Sequence, residues 1–393
     1  MPRIDSTAQH AAAQKIPELD GIRGVAILLV IIFHFGYYVP KHFNGANTFY
    51  LLLTGMGWIG VDLFFVLSGF LITRILLNTK HSAHYFKSFY VRRALRILPI
   101  YYLGVFIFFD CLLPLTHISS LHLANVLAPD SPGGLEQLWY WFHISNWQSA
   151  FGVYAFTPIG HIWSLAIEEQ FYFVWPLVVL LCGESSLMAV CIGLIVVSSG
   201  LRYLPVFQDI QVIHTEFIYR LTPFRIEPLL FGAILAIAEA RQIFRETAKQ
   251  WGELLFMLGC IGIAGAVLMA RGPQYNSKPM STFGLTAIAV TCFSVVLFGI
   301  RNSGSALARS RILRSPILAQ CGKYSYAMYI FQTPLQYLLP EKTISYFVPF
   351  LDGFAASILS ILLGIGLSYL AARCSWALIE QRFLRLKDRF PAD

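Results

Sequence analysis

Ten times along this 393-residue chain, about twenty consecutive residues run almost without charge. An α-helix of that length crosses the ~30 Å hydrocarbon core of a bilayer with every backbone N–H and C=O satisfied inside the segment. The runs lie near 19–39, 57–77, 97–115, 162–182, 186–204, 223–240, 251–270, 281–300, 323–339 and 352–378. Apolar/polar alternation, the mark of a half-buried strand, is absent over any useful length. Charged residues make up 13% of the chain, against about 25% in soluble globular domains. The expected fold is all-α: a polytopic membrane protein of about ten transmembrane helices. Residues 1–18 read as a polar N-terminal arm, 19–380 as the membrane domain and 381–393 as a basic tail. The arm lacks the apolar core of a leader peptide, so the first run is expected to remain as a helix.

Net charge is +8, but the basic residues gather in a few connections. They are the stretch 80–96, then Arg241, Arg245 and Lys249, then Arg301, Arg309, Arg311 and Arg314, and finally Arg382, Arg385, Lys387 and Arg389. The positive-inside rule places all four on the cytoplasmic face. Ten helices with both termini cytoplasmic satisfy that placement, and a nucleic-acid partner is not expected. The segment LEQLWYWFHISNW (135–147) is too short to span, and reads as an interfacial or re-entrant helix. The seven cysteines lie in or beside apolar runs, read as small core residues, and show no metal-ligand spacing. No metal is expected.

Several ionisable residues interrupt the apolar runs, and such residues are functional candidates by default because each must be paired or hydrated. Arg23 and His34 differ by about 20° of rotation and about 16 Å of rise on a helix, so they share one face at two depths. Asp62 enters the second run. His161, Ser164 and Glu168 recur at i, i+3, i+7, one face, while Glu169 lies about 100° round the helix and is not expected to share a site with Glu168. Arg225, Glu227 and Gln332 reach a similar depth in the outer half. Arg93 and Arg96 are neighbours at the inner edge of the third run. They serve topology, and their guanidinium forks also suit phosphates.

These stretches together resemble the membrane acyltransferase 3 family. The resemblance rests on LDGIRG (19–24), on Arg23 and His34 with ten residues between them, on VDLFFVLSGFLI (61–72), and on Arg93-x-x-Arg96. It also rests on Ser164-Leu165-x-x-Glu168-x-Gln170-Phe171-Tyr172. It covers about 15–388. Two positions depart from it. Gln332 stands where many relatives have His, and Gln carries no proton at neutral pH. Gln381-Arg382 follows Glu380 where the family tail reads Glu-x-Pro, leaving the end of the last helix open. The chain ends at 393, where no appended hydrolase-like domain is expected.

The resemblance implies transfer of an acyl group, acetyl above all, from acyl-CoA to a hydroxyl of a saccharide or lipid-linked saccharide. Arg23, Arg93 and Arg96 would hold the CoA phosphates. His34 would act as base or acyl carrier, and Glu168 or Asp62 would orient it. Arg225, Gln332, Trp163 and Ser164 would face the acceptor, with Trp139, Tyr140, Trp141 and Trp147 as stacking faces or an interfacial belt. The expected setting is a bacterial cytoplasmic membrane. A transporter or flippase for a lipid-linked saccharide, or a non-catalytic scaffold, would use the same polar cluster differently. No internal repeat supports the transporter.

Overall fold

The computed structural model describes residues 16–36, 45–112, 137–151, 158–213, 216–242, 248–338 and 353–390. All regular structure among them is helical. The long helices are α1 (Pro17–Phe35), α2 (Gly45–Met56), α3 (Ile59–Thr79), α4 (Tyr85–Phe106), α5 (Trp163–Leu181) and α6 (Glu184–Leu201), followed by α7 (Glu227–Ala240), α8 (Ala248–Ala270), α9 (Leu285–Arg301), α10 (Pro316–Leu338) and α11 (Gly353–Ser375).

Seven helical stretches among the described residues are long and apolar enough to cross a membrane: 59–79, 85–111, 160–181, 184–201, 251–270, 280–301 and 353–386. The other three expected runs form α1, α7 and α10. α1 carries Glu18, Asp20 and Arg23, and α7 has only 14 residues. These helices, two of them charged within the run and one short, are inner ones. α1 packs along α10 and α3, and α7 packs along α3. A helix enclosed by protein can carry polar side chains, whereas one facing lipid cannot. Accordingly α6 and α8 leave most of their apolar surface outward.

Glycine sets the inner contacts. A Cβ on Gly322 of α10 would lie 1.8 Å from the Asp20 carbonyl oxygen of α1, and one on Gly24 would lie 2.2 Å from that of Leu318. Gly69 of α3 and Gly232 of α7 make the same approach at 1.9 and 2.1 Å. Only residues without side chains let these backbones meet, as in tightly packed membrane helices.

Several boundaries differ from the sequence reading. α2 is an additional helix. α4 begins at Tyr85, so Arg92, Arg93 and Arg96 sit on a helix rather than in a basic loop. The run 223–240 breaks at Ile226, between a turn at Thr222–Arg225 and α7. The interfacial segment is two short helices, Leu138–Trp141 and Ser145–Ala150, bent at His143, whose φ is 55°. Tyr140 is buried with its carbonyl accepting the Tyr101 hydroxyl at 2.8 Å, and Trp141 stacks on Tyr102, so neither ring is a free platform. The last helix passes Glu380 and stays helical to Arg389, and the Arg92 guanidinium donates to the Phe390 carbonyl at 2.9 Å. Of the cysteines, Cys191, Cys292 and Cys321 are buried, while Cys111, Cys260 and Cys374 are exposed on apolar helices rather than in the core.

Candidate active site

α1, α3, α4, α5 and α10 enclose a cleft of about 780 Å³, counted out to its mouth. Arg23, Arg93, Arg96 and Lys323 supply four cations, facing Glu168 and Glu169. Arg93, Arg96 and Ile97 fall at i, i+3, i+4 on α4, which is why one helix face delivers them together. The three guanidiniums lie within one another's field. Arg93 rests over the Tyr172 ring at 4.3 Å, and Arg23 reaches Asp20 only at 3.8 Å. Arg93 and Arg96 make no ion pair among the described residues. A concave surface with surplus guanidinium charge is suited to an anionic ligand, phosphate above all.

Glu168 is fixed from two sides. Its Oε1 accepts the Ser68 hydroxyl at 3.0 Å, and its Oε2 accepts the Tyr172 hydroxyl at 3.0 Å. Both carboxylates line the one cleft, contrary to the angular expectation. The cleft wraps about a third of the way round α5, so 100° of separation does not remove Glu169 from it. Ser68, inside the VDLFFVLSGFLI stretch, thus serves as a hydrogen-bond donor to Glu168.

The inner end of the cleft is formed by Ser164 and Tyr329. The Ser164 hydroxyl donates to the Tyr329 hydroxyl at 2.6 Å, which donates to the His161 carbonyl at 2.9 Å. Behind this pair stand two imidazoles. His161 donates from Nε2 to the Tyr329 carbonyl at 2.8 Å. Pro334 assists that contact: it has no N–H, so the Ile330 carbonyl one turn earlier lacks its helical donor and also faces the ring. His34 lies with its ring centroid 6.4 Å from that of His161, edge to face. Its Nδ1 donates to the Val30 carbonyl at 2.9 Å. That bond fixes the proton on Nδ1 and leaves the Nε2 lone pair as the available base.

Gln332 is fully buried with its amide against the His34 ring, and neither amide atom completes a well-formed hydrogen bond among the described residues. His161 Nδ1 and the Thr333 hydroxyl are likewise buried without partners. Buried polar atoms are normally satisfied, so four orphans around two imidazoles mark a place built for polar ligand groups.

No carboxylate among the described residues hydrogen-bonds His34, so neither Glu168 nor Asp62 orients it as expected. A backbone carbonyl does so instead. Asp62 is fully buried and locked to Arg225, with contacts of 3.0 and 3.1 Å to its two oxygens. The Arg225 guanidinium also lies 4.8 Å over the Tyr219 ring. Beside them Arg202 pairs with Glu227 at 2.6 Å, and its Nη1 takes the Phe224 carbonyl. These two pairs clamp the break at Ile226, Asp62–Arg225 tying it to α3 and Arg202–Glu227 tying α7 to the end of α6. Trp163, next to Ser164 in sequence, faces away from the cleft toward Tyr219 and Arg220.

The expected residues thus divide into three groups. Arg23, Arg93, Arg96, Glu168 and Ser164 share the cleft. His34 and Gln332 meet behind it. Asp62 and Arg225 form a brace. Residues 16–373 match the sequence model of the acyltransferase 3 family, described as an acyltransferase domain. The chain belongs to this family. Its helical frame carries seven membrane-length apolar stretches among the described residues. Among similar proteins is the O-acetyltransferase OatA of Staphylococcus aureus, 28% identical over 332 residues, which are 81% of this chain and 50% of OatA. A second S. aureus protein, SACOL0978, provisionally named an O-acetyltransferase, is 26% identical over 98% of this chain and 59% of its own length. YrhL of Bacillus subtilis, provisionally named a peptidoglycan O-acetyltransferase, is 40% identical over 41% of this chain and 23% of its own. The chain therefore spans at most about three-fifths of these relatives. No solved structure matches it.

Sequence reasoning placed His161 on the Glu168 stripe and Tyr172 in a motif but assigned neither a part, and passed over Lys323 and Tyr329. The stretch SYAMYIFQTP held the one available signal, a proline two residues after Gln332 that frees carbonyls in a polar turn.

Proposed function

We propose that this acyltransferase moves an acetyl group, as the names of its relatives have it, from acetyl-CoA to a hydroxyl of a saccharide. It would work in a bacterial cytoplasmic membrane with the arginine mouth on the cytoplasmic side. The observation that carries the reading is the cation-mouthed cleft whose inner end, at Ser164 and Tyr329, abuts a histidine with a free Nε2. In this reading Arg23, Arg93, Arg96 and Lys323 hold the phosphates of CoA. The pantetheine arm runs inward past Ser164, so that the thioester carbonyl reaches the imidazoles.

His34 Nε2 then takes the proton of the acceptor hydroxyl, whose oxygen attacks the thioester carbon. The C–S bond breaks as the C–O bond forms, and the proton passes from His34 to the departing thiolate. The amide N–H of Gln332 supplies a hydrogen bond to the oxygen on which negative charge develops. His161 Nδ1 accepts from a neighbouring acceptor group. Glu168 holds Ser68 and Tyr172, and through Tyr172 the position of Arg93. Asp62 and Arg225 hold the frame.

Mass spectrometry of surface glycans tests this. Cells carrying the gene should show glycans heavier by one acetyl group than cells lacking it, and His34→Ala should return the lighter mass at equal membrane abundance. Glycans of equal mass with and without the gene would overturn the reading, as would an acetylated product from His34→Ala.

A further inference from the structure

A second cleft lies along the same two helices, α4 and α10. On α4 the donor cleft takes Arg93, Arg96 and Ile97, and the same helix face runs on through Tyr101, Gly104, Val105 and Phe108 at i+4, i+7, i+8 and i+11 from Ile97. On α10 the donor cleft takes Tyr326, and Ile330 and Pro334 follow at i+4 and i+8. Each spacing keeps to one side of its helix. The two clefts therefore lie end to end along the seam between α4 and α10. Between their linings the Tyr326 hydroxyl bridges the seam, donating to the Ile97 carbonyl at 3.1 Å.

The second cleft is small, with about 50 Å³ of cavity volume. Its walls are aliphatic and aromatic, closed on the third side by Ile159 and Ile162. The Tyr101 hydroxyl is already engaged by the Tyr140 carbonyl. Three wall residues adjoin the imidazole centre directly in the chain: Ile162 follows His161, and Ile330 and Phe331 lie between Tyr329 and Gln332. A donor whose phosphates sit at the arginines and whose thioester reaches these residues has one direction left along the seam for whatever follows its carbonyl carbon. That direction is apolar.

We infer that the cleft bounded by Val105, Phe108, Ile162 and Ile330 is an acyl-chain site, and that the enzyme accepts short-chain acyl groups longer than acetyl. The inference rests on the donor reading of the arginine cleft. Acetyl presents only a methyl group to it, whereas propionyl and butyryl carry methylenes into its apolar walls. Burying one methylene strengthens binding about fourfold, so butyryl-CoA should bind about 15-fold more tightly than acetyl-CoA.

The test is equilibrium competition on the full chain in lipid nanodiscs. Unlabelled acetyl-, propionyl-, butyryl- and hexanoyl-CoA displace radiolabelled acetyl-CoA. Affinity should climb from acetyl to butyryl in the wild type, and Val105→Trp should bring the butyryl-to-acetyl ratio down toward one. The smaller Val105→Leu should lie between. Because a ratio is read, loss of folded protein does not imitate the result. Equal affinities across the wild-type series, or a ratio untouched by Val105→Trp, would overturn the acyl-chain site alone. Failure of any acyl-CoA, acetyl-CoA included, to bind would overturn the donor reading beneath it.

Discussion

At the scale of residues, the sharpest revision concerns the carboxylates. A sequence shows that Glu168 and Asp62 are costly in a membrane, and so that each must have a partner, but it does not show which. Asp62 found Arg225, which is 163 residues away, and Glu168 found Ser68 and Tyr172. Asp62→Ala leaves a fully buried guanidinium without its charge partner, which costs about 3–5 kcal/mol. The expected outcome is a lower thermal midpoint and poor yield in detergent, largely recovered when Arg225 is replaced by Met and Asp62 by Leu together. A catalytic Asp62 would instead lose turnover at unchanged stability. Glu168→Gln keeps shape and removes one negative charge from beside the arginines. Affinity for acetyl-CoA should rise by about fivefold at low salt, since like charges about 8 Å apart interact by about 1 kcal/mol at an intermediate dielectric. Weaker binding would show that Glu168 does not oppose the donor's phosphates. His34 was legible as a candidate, because an imidazole at helical register with an arginine has few reasons to sit in an apolar run. Its orienting group was not, because the Val30 carbonyl belongs to every α-helix and carries no sequence signal.

At the scale of elements, the helices were legible from apolar length, and their contacts much less so. The pairing of α1 with α10 joins segments about three hundred positions apart, and it rests on glycines that look alike in sequence. The space around each separates them. Gly322→Ala drives a methyl group into the Asp20 carbonyl, so α10 must move away from α1, carrying Gln332 away from His34. A loss of more than ~3 kcal/mol is expected for such overpacking against backbone. Gly193 on α6 and Gly366 on α11 meet nothing within 4 Å of an added Cβ. Alanine there should be neutral or stabilising by about 0.5–1 kcal/mol, because glycine inside a helix costs that much. Thermal midpoints of the three variants in one detergent check the ordering, and equal midpoints would show that α1 and α10 are not held by backbone approach. The break in the run 223–240 was hidden for a related reason. Pro223 and Pro228 flank it, yet each sits in a first helical turn where proline is tolerated, so the apolar run reads through.

At the scale of the whole molecule, composition alone announced a helical membrane protein, and seven of the ten apolar runs are long and apolar enough to span. Of the other three, α1 and α10 carry Arg23, His34, Lys323 and Gln332, and α7, only 14 residues long, carries Glu227; neighbouring helices shield these side chains from lipid. The account as a whole divides labour between a cleft that holds the donor's phosphates and an imidazole that handles the proton. Transfer kinetics of purified full-length protein with radiolabelled acetyl-CoA, comparing His34→Ala with Arg93→Ala/Arg96→Ala, test that division most directly. The histidine variant should lose about 100-fold or more in kcat with little change in affinity for acetyl-CoA, while the paired arginine variant should raise KM for acetyl-CoA and keep most of its kcat. Undiminished kcat in His34→Ala would contradict the account.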